Sequence, residues 1–140
     1  MEAAKQYGMI AVGGALGALL RELLEVVVPP PQGSQFPIAT LLINLSGSLF
    51  LGWFYTTTIW KWRVPIWVRA GIGTGVVGSY TTFSTFMVET NALFGKGLTF
   101  TAVLYVLVSV IGGLLCAFAG VRLVGERREP EVRPSVAERS

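Results

Sequence analysis

The sequence predicts an all-α membrane protein of four transmembrane helices, the third of them broken, and three observations carry that reading. No charged residue lies between Glu25 and Lys61, between Arg69 and Glu89, or between Lys96 and Arg122. Each gap is close to or longer than the roughly 20 mostly apolar residues that cross a bilayer. Apolar residues make up 52% of the 140-residue chain and charged residues only 14%, too few to cover it with a water-facing surface. Finally, Gly71, Gly73, Gly75 and Gly78 crowd the third apolar stretch, and each glycine costs about 1 kcal/mol relative to alanine inside a helix.

The spans are expected at residues 7–28, 36–60, 64–93 and 99–124, each long enough to cross with some tilt. The first carries Gly13, Gly14, Gly17 and Ala18 at spacings that let another backbone approach closely in lipid. It is long, rich in glycine and followed by prolines, without a small-x-small cleavage site, so it reads as a span and not as a removed signal. The prolines at 29–31 open a linker, residues 29–35, that cannot be helical, and 61–65 and 95–97 read as short turns. Residues 1–124 therefore form one membrane domain. From Gly125 to Ser140 the chain is charged, contains Pro130 and Pro134 and lacks aromatics, which predicts a disordered tail over residues 125–140.

The second span places Asn44, Ser48 and Gly52 on one face. The Asn44 amide either bonds across to a neighbouring helix or offers its N–H donors to an anion. In the third span the glycines predict a break near residues 78–82, which would free backbone carbonyls able to hold a cation. Phe83 and Phe86 then share a face, as do Thr82, Thr85 and Glu89. Phenylalanines at this spacing serve a core in most helices. Beside so many hydroxyls, their electropositive ring edges can instead meet a small anion. Tyr105 and Ser109, at i and i+4 of the fourth span, extend a hydroxyl track along the same path. Polar groups at membrane depth have no partner in lipid, so a pore or binding site is expected where they gather.

Other chemistries find little support. The chain has no histidine and a single cysteine, Cys116, inside an apolar span, so no disulfide or His/Cys metal site can form within it. The net charge of +3 collects at helix ends, as a topology signal does, and no nucleophile and base suggest catalysis. Two rival readings belong to other classes. A small dual-topology multidrug-type exporter would need an unpaired glutamate deep in the first helix, whereas Glu22 follows Arg21 near its end. A structural membrane assembly subunit would use the polar stripe as packing glue.

Three segments together resemble one family. They are Gly-Gly-Ala-Leu-Gly-Ala-Leu-Leu-Arg from Gly13 to Arg21, Ile-Asn-Leu-Ser-Gly-Ser from Ile43 to Ser48, and Gly-Ser-Tyr-Thr-Thr-Phe-Ser-Thr-Phe from Gly78 to Phe86. This combination, in a chain of four-helix length, resembles the Fluc (CrcB) family of fluoride channels over everything except the tail. The resemblance implies a passive, fluoride-selective channel in the inner or plasma membrane that exports toxic fluoride. It implies an antiparallel dual-topology dimer with two pathways and a structural sodium ion (Na+) at its centre, held by backbone carbonyls that here belong to Gly78 and Thr81. Along the fluoride pathway it places Asn44, Thr82, Phe83, Ser84, Phe86, Tyr105 and Ser109, with Arg21 near the vestibule. The role of Glu89 is left open. Fluoride is small and tightly hydrated, so amides, hydroxyls and ring edges suit a pore that must also release the ion.

Charge placement adds one expectation. With a cytoplasmic N-terminus, Lys5, Lys61, Arg63, Arg69, Arg122, Arg127 and Arg128 all fall inside, while Lys96 falls outside and Arg21 near the outer end of its helix. Such a bias favours a single orientation. The subunit is therefore expected to pair either with an inverted copy of itself or with an oppositely oriented homologue.

Overall fold

The computed structural model describes residues 2–29, 36–62 and 64–125. Most of the expected linker (residues 30–35), Arg63, and all of the expected tail beyond Gly125 lie outside the described residues. Among the described residues all regular structure is helical. Helix α1 spans Glu2–Val27 and α2 spans Ile38–Trp60. The third apolar stretch is divided into α3 (Ile66–Ala70), a π-helical segment (Gly71–Val77), α4 (Gly78–Tyr80) and, after a gap, α5 (Ser84–Gly95). Helix α6 spans Thr99–Leu123.

Four helical stretches, the third of them broken, agree with the sequence reading, and two features differ from it. Helix α1 starts at Glu2, five residues earlier than expected, because Glu2 suits the positive end of a helix and Lys5 lies 3.5 Å from it at i, i+3. The π-helical segment was not anticipated. Helices α2 and α6 are each long and apolar enough to cross a membrane by themselves. Helix α1 carries charge at both ends and the third stretch is in pieces, so neither meets that criterion as a single element.

The glycines explain how the pieces pack. A Cβ on Gly13 would meet the Gly71 carbonyl and one on Gly17 would meet the Val76 carbonyl, so α1 lies backbone to backbone on the π-helical segment. Gly71 and Gly75 face α1 through Met9 and Ile10, while Gly73, between them, faces the Tyr55 hydroxyl on α2. With glycines at these contacts, the segment packs closely on α1 and lets the Tyr55 hydroxyl of α2 reach its backbone. Gly52 and Gly120 let α2 and α6 approach in the same way, against Ala117 and Leu49 respectively. A tighter core forms where α5 meets α6, with Leu93, Ala102 and Tyr105 buried and Phe36, Leu41, Phe86 and Leu98 packed around them. The outer surface is apolar, with Leu19, Val27, Leu114 and Leu115 more than half exposed, as lipid requires.

Candidate functional site

The gap between α4 and α5 is built from specific hydrogen bonds. Thr81 is extended, with φ −75° and ψ 155°, and it ends α4. Its N–H and hydroxyl both donate to the Val77 carbonyl, at 2.9 Å each. The next residue turns away from its own helix. The Thr82 N–H donates to Asn44 Oδ1 and Asn44 Nδ2 donates to the Thr82 carbonyl, each at 2.9 Å. The Thr82 hydroxyl accepts the Thr85 N–H at 3.2 Å and donates to the Thr85 hydroxyl at 3.0 Å, which caps the start of α5. One amide on α2 therefore satisfies both backbone groups of the residue at the centre of the break.

This arrangement has a consequence for two carbonyls. In an unbroken helix the Thr82 N–H would close a turn onto Gly78, and the Thr85 N–H would close one onto Thr81. Those donors are taken instead by Asn44 Oδ1 and Thr82 Oγ1. The carbonyls of Gly78 and Thr81 thus lose their helical partners, which is the chemistry a backbone cation site demands.

A cleft of about 340 Å³ opens beside the break. Asn44, Ser48, Leu51, Val77, Thr81, Thr82, Phe83, Phe86, Ser109 and Val110 line it, together with Gly47. None of these residues is charged. Asn44 spends one of its two Nδ2 hydrogens on Thr82, which leaves the second for the cleft. Ser109 Oγ is buried there without a partner. The Phe83 and Phe86 rings lie 6.0 Å apart between centroids and inclined by 38°. Phe83 sits in the gap itself and is 74% exposed, whereas Phe86 is part-buried and packs on Tyr105 at 5.1 Å. Of the residues singled out from the sequence, the structure thus gathers Asn44, Thr81, Thr82, Phe83, Phe86 and Ser109. Ser84 hangs from the same cluster, its hydroxyl 3.3 Å from that of Thr82.

Tyr105 and Arg21 are placed differently. Tyr105 is fully buried, edge-on to Phe36 at 5.4 Å, and its hydroxyl donates to Glu89 at 2.8 Å. It lies behind Phe86 and does not line the cleft. Arg21 stands apart near the end of α1, 4.0 Å from Glu25. Gly78 is outside the cleft lining, one short helix before Thr81.

Glu89, whose role the sequence left open, is the centre of a polar cluster. Thr40 donates to its Oε1 at 2.9 Å while Tyr105 donates to its Oε2. Thr40 was not singled out from the sequence. It stands one helical turn before Asn44, so extending the stripe of Asn44, Ser48 and Gly52 backward by four residues would have found it.

Comparison with known proteins places this geometry. Residues 8–121 match the family described as CrcB-like protein, Camphor Resistance (CrcB). The chain belongs to the CrcB family. Its CrcB relatives include a protein of Geobacillus kaustophilus named fluoride-specific ion channel FluC 2, 41% identical over 114 residues that cover 81% of this chain and 88% of the relative. A protein of Bacillus thuringiensis named fluoride-specific ion channel FluC 1 is 43% identical over 84% of this chain and 85% of its own length. Another FluC 1, from Desulfitobacterium hafniense, is 46% identical over 79% of this chain and 95% of its own length. The CrcB match takes in all of α2 to α5 and most of α1 and α6, and it includes the break, the cleft and the Glu89 cluster.

Proposed function

We propose that this chain is a fluoride-selective ion channel of the cell membrane, through which the ion leaves the cell passively and its toxicity is limited. The observation that carries this reading is the cleft beside the break, lined by an amide, hydroxyls and phenylalanine rings and by no charged group. Weak donors suit an anion that must shed its water on entering and still leave at the far side. The names of the CrcB relatives point to the same ion. The protein carries out no catalysis in this reading, and its work is permeation.

Within the pathway, Phe83 and Phe86 turn ring edges to the ion, the spare Asn44 N–H and the unpartnered Ser109 hydroxyl donate to it, and Thr82 and Ser84 supply further hydroxyls. Behind them, Tyr105 holds Glu89 and supports Phe86. The chain acts as half of an antiparallel pair, with two pathways and Arg21 at a vestibule. Gly78 and Thr81 fit a sodium ion at the centre of such a pair, because their carbonyls have lost their helical donors to Asn44 and Thr82. Bound there, sodium would supply a structural link between the two copies. The partner is an inverted copy or an oppositely oriented homologue. The bias of Lys5, Lys61, Arg69 and Arg122 toward one end of the bundle favours the latter in the cell.

The exporter reading is weaker, because Glu22 is exposed near the end of α1 and Glu25 faces Arg21. Fluoride efflux from liposomes that hold the purified protein tests the proposal. Rapid release of fluoride with chloride retained is the expected result, and liposomes that hold fluoride as tightly as empty ones would overturn it.

A further inference from the structure

Arg69 is a charged group that the pathway does not use. It lies in the last turn of α3, and its Nε is buried without a hydrogen-bond partner while its Nη groups keep access to the surroundings. Lys5 pairs with Glu2 and Arg21 with Glu25, and among the described residues no carboxylate pairs with Arg69. A guanidinium keeps its charge in any protein environment, and leaving one partly stripped of water without a counter-charge is unfavourable. Among the described residues nothing supplies that compensation, and the exposed edge of the group is open to a ligand.

The neighbours set the depth at which that compensation is found. Trp60 and Trp62 stand at the end of α2 with 43% and 52% exposure, and the exposed Lys61 lies between them. The Trp62 ring is held edge-on by Trp53, with centroids 5.9 Å apart. Exposed indoles beside a lysine at a helix end mark the headgroup level of a bilayer. Arg69 belongs to the same end. The Tyr55 hydroxyl lies against Gly73, and Arg69 precedes Gly73 by one turn, about 6 Å along the helix toward the connection from α2 to α3. The cleft reaches Leu51 on α2 and does not include Arg69, so the guanidinium serves a different ligand.

We propose that the outward Nη edge of Arg69, with Lys61, holds the phosphate of an anionic phospholipid at the end of the bundle where the chain passes from α2 to α3. A phosphate diester accepts the planar fork of a guanidinium through two parallel hydrogen bonds, and basic positions between transmembrane helices select such headgroups. Trp60 and Trp62 flank the lipid at the boundary between headgroup and acyl chains.

Thermal unfolding of the purified full-length protein in detergent, with added phosphatidylglycerol, phosphatidylcholine or inorganic phosphate, separates the sources. The expected result is stabilisation by phosphatidylglycerol well beyond that from the other two. In Arg69→Gln the phosphatidylglycerol concentration for half-maximal effect should rise roughly fivefold or more, as the loss of one charge at a membrane surface implies. If Arg69→Gln does not fold, native mass spectrometry of the wild type and Arg69→Lys replaces it, with fewer retained phosphatidylglycerol molecules expected in the lysine variant. An equal response of wild type and variant would overturn the proposal. So would equal stabilisation by phosphatidylcholine, or full stabilisation by inorganic phosphate alone, which would indicate a site for a free anion.

Discussion

Replacing Asn44 tests whether the break in the third stretch depends on a side chain from another helix. Asn44→Ala removes two hydrogen bonds of 2.9 Å at once and leaves the N–H and the carbonyl of Thr82 without partners, in a residue only 7% exposed. Each buried backbone group left unsatisfied costs about 1 to 3 kcal/mol, so the variant should lose roughly 2 to 6 kcal/mol. Asn44→Asp grades the effect. A carboxylate still accepts from the Thr82 N–H but cannot donate to its carbonyl, so one of the two bonds survives while a negative charge enters the cleft. Stability would be read from denaturant unfolding of the purified protein in mild detergent, and fluoride efflux from liposomes would be measured on the same preparations. The alanine variant should be destabilised by several-fold more than the usual surface substitution and should lose efflux. An Asn44→Ala protein within about 0.5 kcal/mol of wild type, the range of an inconsequential surface change, would refute the reasoning.

Other expectations separate packing from permeation. Phe83→Ile should abolish or strongly reduce efflux with little effect on stability, because Phe83 is 74% exposed. Phe86→Ile should lose efflux and also about 1 kcal/mol of stability through its contact with Tyr105, and wild-type flux in both variants would sink the ring-edge pathway. Gly17→Ala puts a methyl group against the Val76 carbonyl and should cost about 1 to 3 kcal/mol, whereas Gly8→Ala, with open space around it, should be neutral or slightly stabilising in the same unfolding assay. Thr81→Ser should be mild and Gly78→Leu severe if backbone carbonyls hold sodium. Rigorous sodium removal should then lower dimer stability on size exclusion, and indifference to sodium would count against that site.

Much of this molecule could be read from its sequence because the signals are local. Gaps between charges mark the apolar helical stretches, and the run Gly71, Gly73, Gly75 and Gly78 signals that the third stretch cannot be one regular helix. Where the chain breaks is a different matter. The turn at residues 81–83 is set by Asn44, which is 38 positions away, so the glycines locate the weakness and a distant amide decides its geometry. The π-helical segment was illegible for a similar reason: it depends on carbonyls of Gly71 and Val76 lying against Gly13 and Gly17 of α1. Among the site residues, those within the motif from Thr81 to Phe86 come together as their spacing suggests. The Glu89 cluster draws its partners from α2 and α6, at separations of 49 and 16 residues, and no periodicity within the third stretch reports them.

The splint between Asn44 and Thr82 also bears on how stiff the pathway is. A gap in a membrane helix is commonly pictured as a hinge, yet here the central residue is clamped from the side at both its N–H and its carbonyl. Bending at the gap would require both bonds to α2 to break together, so any widening between Phe83 and Phe86 has to come from side-chain rotation or from displacement of whole helices. The Thr82 amide, although it belongs to no helix, should therefore exchange its hydrogen as slowly as the interior amides of α2. In the channel proposed above, the opening beside Phe83 would therefore act as a fixed orifice and not as a hinged gate.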